Sequence, residues 1–160
     1  MPIDLTVNNN VYAYPSPGDE PGWGEPATDW ASEVTLVLGT LLNSNDIPNS
    51  TSNIANNITS SSNVNSLLFN AAVVRSAVIE YNIYIKTSSA EFAEVGTLYL
   101  IFKNGGPTGN KWSIGRISFG DDCGVNFTMT DAGQVQYTSG NVTGTGYTGL
   151  INFNAKVILQ

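Results

Sequence analysis

The chain has 160 residues, 41% of them hydrophobic, which is enough for one domain-sized core and argues against wholesale disorder. Charged residues make up only 12%, while Gly, Asn, Ser and Thr fill 65 positions. That composition excludes an all-helical fold, because short polar side chains compete with the helix backbone for hydrogen bonds. The net charge is -7, the six bases are scattered and histidine is absent. Direct nucleic-acid binding therefore lacks its phosphate contacts, and imidazole metal sites and Ser-His or Cys-His nucleophile pairs are excluded. Cys123 stands alone, so it forms no internal disulfide. No apolar run approaches the roughly 20 residues that span a bilayer. The start, Met1-Pro2-Ile3-Asp4, has no basic leader region, so synthesis in a cytoplasm and no membrane partner are expected.

Residues 1–42 read as an extended N-terminal arm with one short helix. Ile3, Leu5 and Val7 alternate with polar neighbours, as in a short strand. The run PSPGDEPGWGEP, from Pro15 to Pro26, holds four prolines and argues against a helix or a central strand. It leaves an extended segment with Trp23 as an apolar anchor. Thr28 or Asp29 is the expected N-cap of a helix of about three turns, with Trp30, Val34, Val37, Leu38 and Leu41 on one stripe. Residues 43–66 are nearly all Asn, Ser and Thr and read as a linker or loop. Either a mobile loop or a segment reaching a neighbouring subunit fits that stretch.

Residues 67–160 carry the strongest pattern. Ala77, Ile79, Tyr81, Ile83 and Ile85 alternate with polar or mixed neighbours, and Leu98, Leu100 and Phe102 do the same. Asn104-Gly105-Gly106 is expected to supply the positive φ angles of a tight reversal into a Trp112–Phe119 strand. Asp121, Asp122 and Gly124 make a turn, and Val125, Phe127 and Met129 alternate up to a reversal at Asp131-Ala132-Gly133. Val135 and Tyr137 follow, and a last strand places Ile151, Phe153, Ala155, Val157 and Leu159 on one face. The predicted fold is mainly β: an antiparallel β-sandwich or jelly-roll-like barrel. The second face of its strands exposes Val78, Tyr84, Tyr99, Ile101 and Ile158, an apolar patch suited to association.

Paired carboxylates are the one catalytic class left open, at Asp121/Asp122 or at Asp19/Glu20 with Glu25. Adjacent aspartates in a turn more often cap backbone amides, and that reading is preferred. Calcium at Asp121, Asp122 and Asp131 lacks loop-motif spacing, so no metal and no cofactor is expected. Cys123 beside two acids reads as a small turn residue and a poor nucleophile. The sequons at Asn49, Asn57, Asn126 and Asn141 fit chance in so Asn-rich a chain. Trp23 and Trp30, in a stretch too proline-rich to own a core, dock either on their own domain or on a partner. A glycan binder would show an exposed aromatic platform, for which Tyr84, Tyr99 and Trp112 are candidates.

The segment VYAYPSPGDEPGWGE, from Val11 to Glu25, with Thr28-Asp29-Trp30-Ala31 after it, resembles an N-terminal element of tailed-bacteriophage virion proteins. Gly124–Ser139 and Gly144–Gly149 resemble a β-rich module of phage fibre and capsid-decoration proteins, as do Leu67–Phe69 and Val74–Tyr81. The resemblance implies a non-enzymatic homotrimer made in the host cytoplasm and displayed on a virion. The short length favours a capsid decoration, or cement, protein on the outer head surface, bound to the major capsid protein. A tail- or head-fibre receptor-binding or adaptor protein is the alternative, and a carbohydrate-binding module recognising a host surface glycan is a further one. Under the first reading Trp23, Trp30, Tyr14, Asp19, Glu20 and Glu25 form the anchor. Val78, Tyr84, Tyr99, Ile101 and Ile158 then form the trimer interface.

Overall fold

A computed structural model describes the backbone of residues 4–7, 10–13, 24–41 and 45–160, and the side chains of residues 28–36 and 45–160. The chain divides into two units, residues 1–44 and 45–160. In the first unit, β1 (Asp4–Val7) pairs antiparallel with β2 (Asn10–Ala13), a partner strand the sequence pattern did not announce. The helix α1 spans Gly24–Leu41, so it begins before the expected caps and runs for 18 residues. Pro26 falls in its first turn, where backbone N–H groups have no helical acceptor and a proline costs little. Val34 is half-buried, while Trp30 and Leu36 are exposed. Val37, Leu38 and Leu41 have side chains outside the described residues.

The second unit is built from β3 (Ile47–Asn53), β4 (Ser62–Leu68), β5 (Val74–Lys86), β6 (Glu91–Phe102), β7 (Trp112–Gly120), β8 (Val125–Met129), β9 (Gln134–Ser139) and β10 (Thr148–Leu159). They form two open antiparallel sheets: five strands in the order β3-β10-β5-β6-β7, and three in the order β4-β9-β8. The fold is a mainly β, sandwich-like one without barrel closure. Alternation explains the layering. Ile79, Tyr81, Ile83 and Ile85 of β5, Leu98 and Leu100 of β6, and Ile151 and Phe153 of β10 turn inward. They share one core with Val64, Val125, Val135 and Tyr137 of the small sheet.

Two sequence expectations fail here. The stretch 43–66, read as a linker or loop, carries β3 and most of β4. Its inward position on β3 is Ser52 rather than an aliphatic residue, and the buried Ser52 hydroxyl accepts a hydrogen bond from the Asn65 amide at 3.1 Å. The second failure is the β6–β7 connection, which is not a tight reversal at Asn104-Gly105-Gly106. It is a longer loop of two turns, closed by Gly106 N–H to Lys103 O and Asn110 N–H to Pro107 O, and its positive φ lies at Gly109. The Asp131-Ala132-Gly133 reversal forms as expected, with Gly133 at positive φ and its N–H donated to Thr130 O.

Between the sheets lies a buried polar cluster. Glu94 of β6, 4% exposed, accepts hydrogen bonds from the Tyr81 hydroxyl (2.7 Å) and from the Arg116 guanidinium. Arg116 also donates Nε–H to Tyr81 Oη at 2.7 Å and reaches the Val125 carbonyl on β8. Its guanidinium carbon sits 5.8 Å from the Tyr81 ring centroid and 5.4 Å from that of Phe127. Tyr81 and Phe127 meet edge to face at 5.4 Å. Opposite Tyr81 in the ladder is Gly96, where an added Cβ would lie 2.5 Å from the tyrosine hydroxyl and 2.6 Å from the Ile117 carbonyl oxygen.

Arg116→Ala is expected to destabilise the protein by about 3–5 kcal/mol, because it leaves Glu94 buried without its counter-charge. Gly96→Ala should cost about 1–3 kcal/mol through overpacking against Tyr81 and the β7 backbone. Urea unfolding followed by circular dichroism measures both. Midpoints unchanged from the parent chain would contradict this account.

Candidate functional site

The outer face of the five-stranded sheet is concave, with a volume of about 660 Å³. Strand register places two rows of side chains across it. The first runs Thr51, Asn152, Asn82, Val95, Phe119 from β3 to β7. The second runs Asn154, Glu80, Thr97, Ile117 from β10 to β7. Each row changes chemistry along its length. Over β3, β10 and β5 the groove is lined by carboxamides, a hydroxyl and a carboxylate. Over β6 and β7 it is lined by Val95, Ile117 and Phe119 with the hydroxyl of Thr97 among them, and Phe119 is 71% exposed.

The polar wall is internally organised. Thr51 Oγ1 donates to Asn152 Oδ1 at 2.6 Å, and Asn152 Nδ2 donates to Asn82 Oδ1 at 3.0 Å. Asn154 Nδ2 donates to Glu80 Oε2 at 3.4 Å. The relay ends at Asn82, an exposed side chain whose Nδ2 donates to no protein atom among the described residues and whose ladder partner on β6 is Val95. Such an arrangement suits recognition: side chains held by their neighbours lose little freedom when a ligand binds. Glu80 is the one carboxylate lining the groove among the described residues.

Four of the five residues expected to drive association gather at one end of this same face. Val78, Tyr99, Ile101 and Ile158 are all exposed there, on β5, β6 and β10. Tyr84 lies on the same face but beyond the groove rows, six residues from Val78 or roughly 20 Å along β5. Its hydroxyl donates to Glu91 at 2.9 Å. Of the aromatic candidates for a glycan platform, Tyr99 is exposed, Tyr84 is half-buried and Trp112 is not available. Trp112 is 7% exposed and packs between Phe69 and Phe102 in the core. Phe119, which the sequence reading took only as the end of a strand, is the exposed ring beside the polar row.

Trp30 is described and 37% exposed on α1. Tyr14, Asp19, Glu20 and Trp23, and the side chain of Glu25, lie outside the described residues. The acidic turns bond backbone amides. Asp121 accepts the Ala93 N–H at 2.9 Å, and Asp122 accepts the Gly124 N–H at 2.8 Å. Asp131 accepts from Gly109 and Lys111, at 2.6 and 3.1 Å, so it braces the β6–β7 loop. Those two hydrogen bonds hold its carboxyl below the usual range. Cys123 is a core residue rather than a turn filler. Burial, reinforced by the charges of Glu94 and Asp121, pushes its thiol up to about 11. Tyr81 is pushed up to about 12 by burial and by its hydrogen bond to Glu94.

No protein-family model matches the chain, and no curated protein matches it in sequence. Among solved structures it is similar to the tailspike protein of Acinetobacter phage vB_ApiP_P1, at 13% identity and a TM-score of 0.37, over 71% of this chain and 21% of that one. It is also similar to the tailspike protein of Acinetobacter baumannii phage AM24, at 13% identity and a TM-score of 0.33, over 72% of this chain and 26% of that one. The chain thus spans about a fifth to a quarter of the tailspike chains it matches. Similarity this slight assigns no residue and no activity.

Raised Tyr81 and Cys123 values make stability pH-dependent on the alkaline side. Well below pH 9 both groups are protonated whether the chain is folded or unfolded, and their contribution is complete. Above the ordinary 9.0 of the thiol and 10.0 of the phenol, the unfolded chain ionises first, so stability falls as pH rises towards about 11 and 12. Denaturation midpoints between pH 8 and 12 should trace that decline, and Tyr81→Phe should flatten it between pH 10 and 12. Native Cys123 should resist iodoacetamide at pH 8.5 and react promptly in urea. Equal reactivity in both states would contradict its burial.

Proposed function

We propose that this chain is a non-enzymatic structural protein of a tailed-bacteriophage virion that recognises a partner through the outer face of its five-stranded sheet. It works as a receptor-binding or adaptor module of the fibre type. The groove is the observation that carries this reading. This face sets aligned amide and carboxylate groups beside an apolar surface, the mixture found in ligand sites. The sequence resemblance to virion proteins supplies the setting.

Glu80 is the one carboxylate of the groove among the described residues, which supports the non-enzymatic part, since glycoside cleavage uses two carboxyls about 5–10 Å apart. The buried Glu94 and the partly buried Arg116 turn inward and bond each other. Homotrimer formation is part of the proposal and rests on the exposed Val78, Tyr99, Ile101 and Ile158, an apolar surface whose burial favours association.

Gold-labelled antibody against this chain, imaged on virions that carry it, should mark the tail or fibres at a few sites per particle. Label spread evenly over the head would establish the decoration reading instead. Sedimentation should give a particle of three 17.0 kDa chains that Ile101→Glu converts to monomer. A monomer at micromolar concentration would overturn the trimer.

A further inference from the structure

We propose that the groove on the outer sheet face binds a neutral oligosaccharide, an inference that rests on the recognition reading above and names its ligand. A pyranose is two-sided: a rim of hydroxyls that both donate and accept, and a patch of C–H groups that packs on aromatic or aliphatic carbon. The groove presents those two chemistries at its two ends, along the direction that crosses the strands. Asn82, Asn152 and Glu80 offer amide donors and carboxylate or carbonyl acceptors on one side, and Phe119 with Ile117 offers the apolar surface on the other. Asn82 Nδ2, left without a protein acceptor among the described residues, is the donor placed for a sugar hydroxyl.

Charge selects among glycans. Among the described residues the groove is lined by Glu80 and by no lysine or arginine, and the chain as a whole carries -7. Lys156, the base in the neighbouring row, is paired with Asp46 at 3.1 Å. A sialylated, uronic or phosphorylated ligand would bring its charge against Glu80 without a counter-ion, so a neutral or N-acetylated chain is favoured.

Geometry selects against a peptide. An extended peptide is captured by adding to the edge of a sheet, where backbone groups lack partners. This groove crosses the strands, and its central strands β10, β5 and β6 are hydrogen-bonded on both sides. What remains for a ligand is side-chain chemistry alone. Four strand spacings separate Thr51 on β3 from Phe119 on β7, roughly 19 Å, which is longer than one sugar ring. The ligand is therefore a short oligosaccharide lying across the strands.

The full chain, fluorescently labelled, is applied to an array of neutral, N-acetylated and acidic oligosaccharides, and the strongest responder is then titrated calorimetrically. Signal should be confined to neutral or N-acetylated glycans. Phe119→Ala and Asn82→Ala should each weaken the titrated affinity at least tenfold while leaving the melting temperature unchanged, because both side chains are exposed. Lys103→Ala, exposed and outside both the groove and the association surface, should leave affinity within twofold. An array without signal, signal confined to acidic glycans, or binding unaffected by Phe119→Ala would overturn the inference. Virions whose fibres are gold-labelled, combined with a blank array, would sink the glycan assignment and leave the recognition reading standing. Absence of label from virions would sink the parent reading whatever the array shows.

Discussion

A carboxylate buried in an apolar sandwich cannot remain charged without a partner, and Glu94 imposes that demand on everything around it. Arg116 meets it from the neighbouring strand β7, and Tyr81 meets it from β5. Sliding β7 by one residue against β6 would turn Arg116 to solvent and strand the carboxylate. The ion pair therefore fixes the register of β5, β6 and β7, and register fixes what the outer face displays. Val95 and Phe119 stand side by side there because Glu94 and Arg116 stand inside. The same guanidinium reaches the Val125 carbonyl and so ties the large sheet to the small one.

The outer face divides its labour along the strands. At the start of β5, Val78 with Tyr99, Ile101 and Ile158 makes a surface suited to a like surface on another copy. A few residues further on, carboxamides replace the aliphatics and the face becomes a groove. Under the proposed function, that separation would let subunits associate at one end and leave the polar row open to a ligand at the other. The shift follows from the outward positions of β5 and β10 alone, with no change in the buried face beneath them.

The long strands β5, β6 and β10 were legible in the sequence because their inward positions are aliphatic or aromatic and recur at every second residue. β3 and β4 were not. Ser52 fills a buried position by hydrogen bonding, so the apolar signal is missing, and Ser66, with φ near 65°, marks an irregular β4 whose pairing with β9 shifts register. The early start of α1 was hidden by Pro26, a helix breaker anywhere but in the first turn. At the site, the outward orientation of Glu80 and Asn82 was readable from alternation. Their neighbours were not, since Thr51 and Asn152 are 101 residues apart and meet only through the order β3-β10-β5. Trp112 misled for the opposite reason: a tryptophan at a strand start reads equally as platform or core, and Phe69 and Phe102 decide for core.

That strand order also governs how the molecule is made. β10 follows every other strand in sequence, yet it lies between β3 and β5, bonded to both. Until it has left the ribosome, β3 has no partner in the large sheet and the inner edge of β5 stands open, with its backbone groups unpaired. The nascent chain can form the β5–β6–β7 meander and the β8–β9 hairpin locally, but the groove's polar wall does not exist at that stage. Joining β3 to its sheet closes a loop of about a hundred residues, the kind of non-local step that slows folding. Through that interval the crowded interior of the cell meets an exposed edge, so rapid insertion of β10 also protects the chain from pairing with other copies of itself.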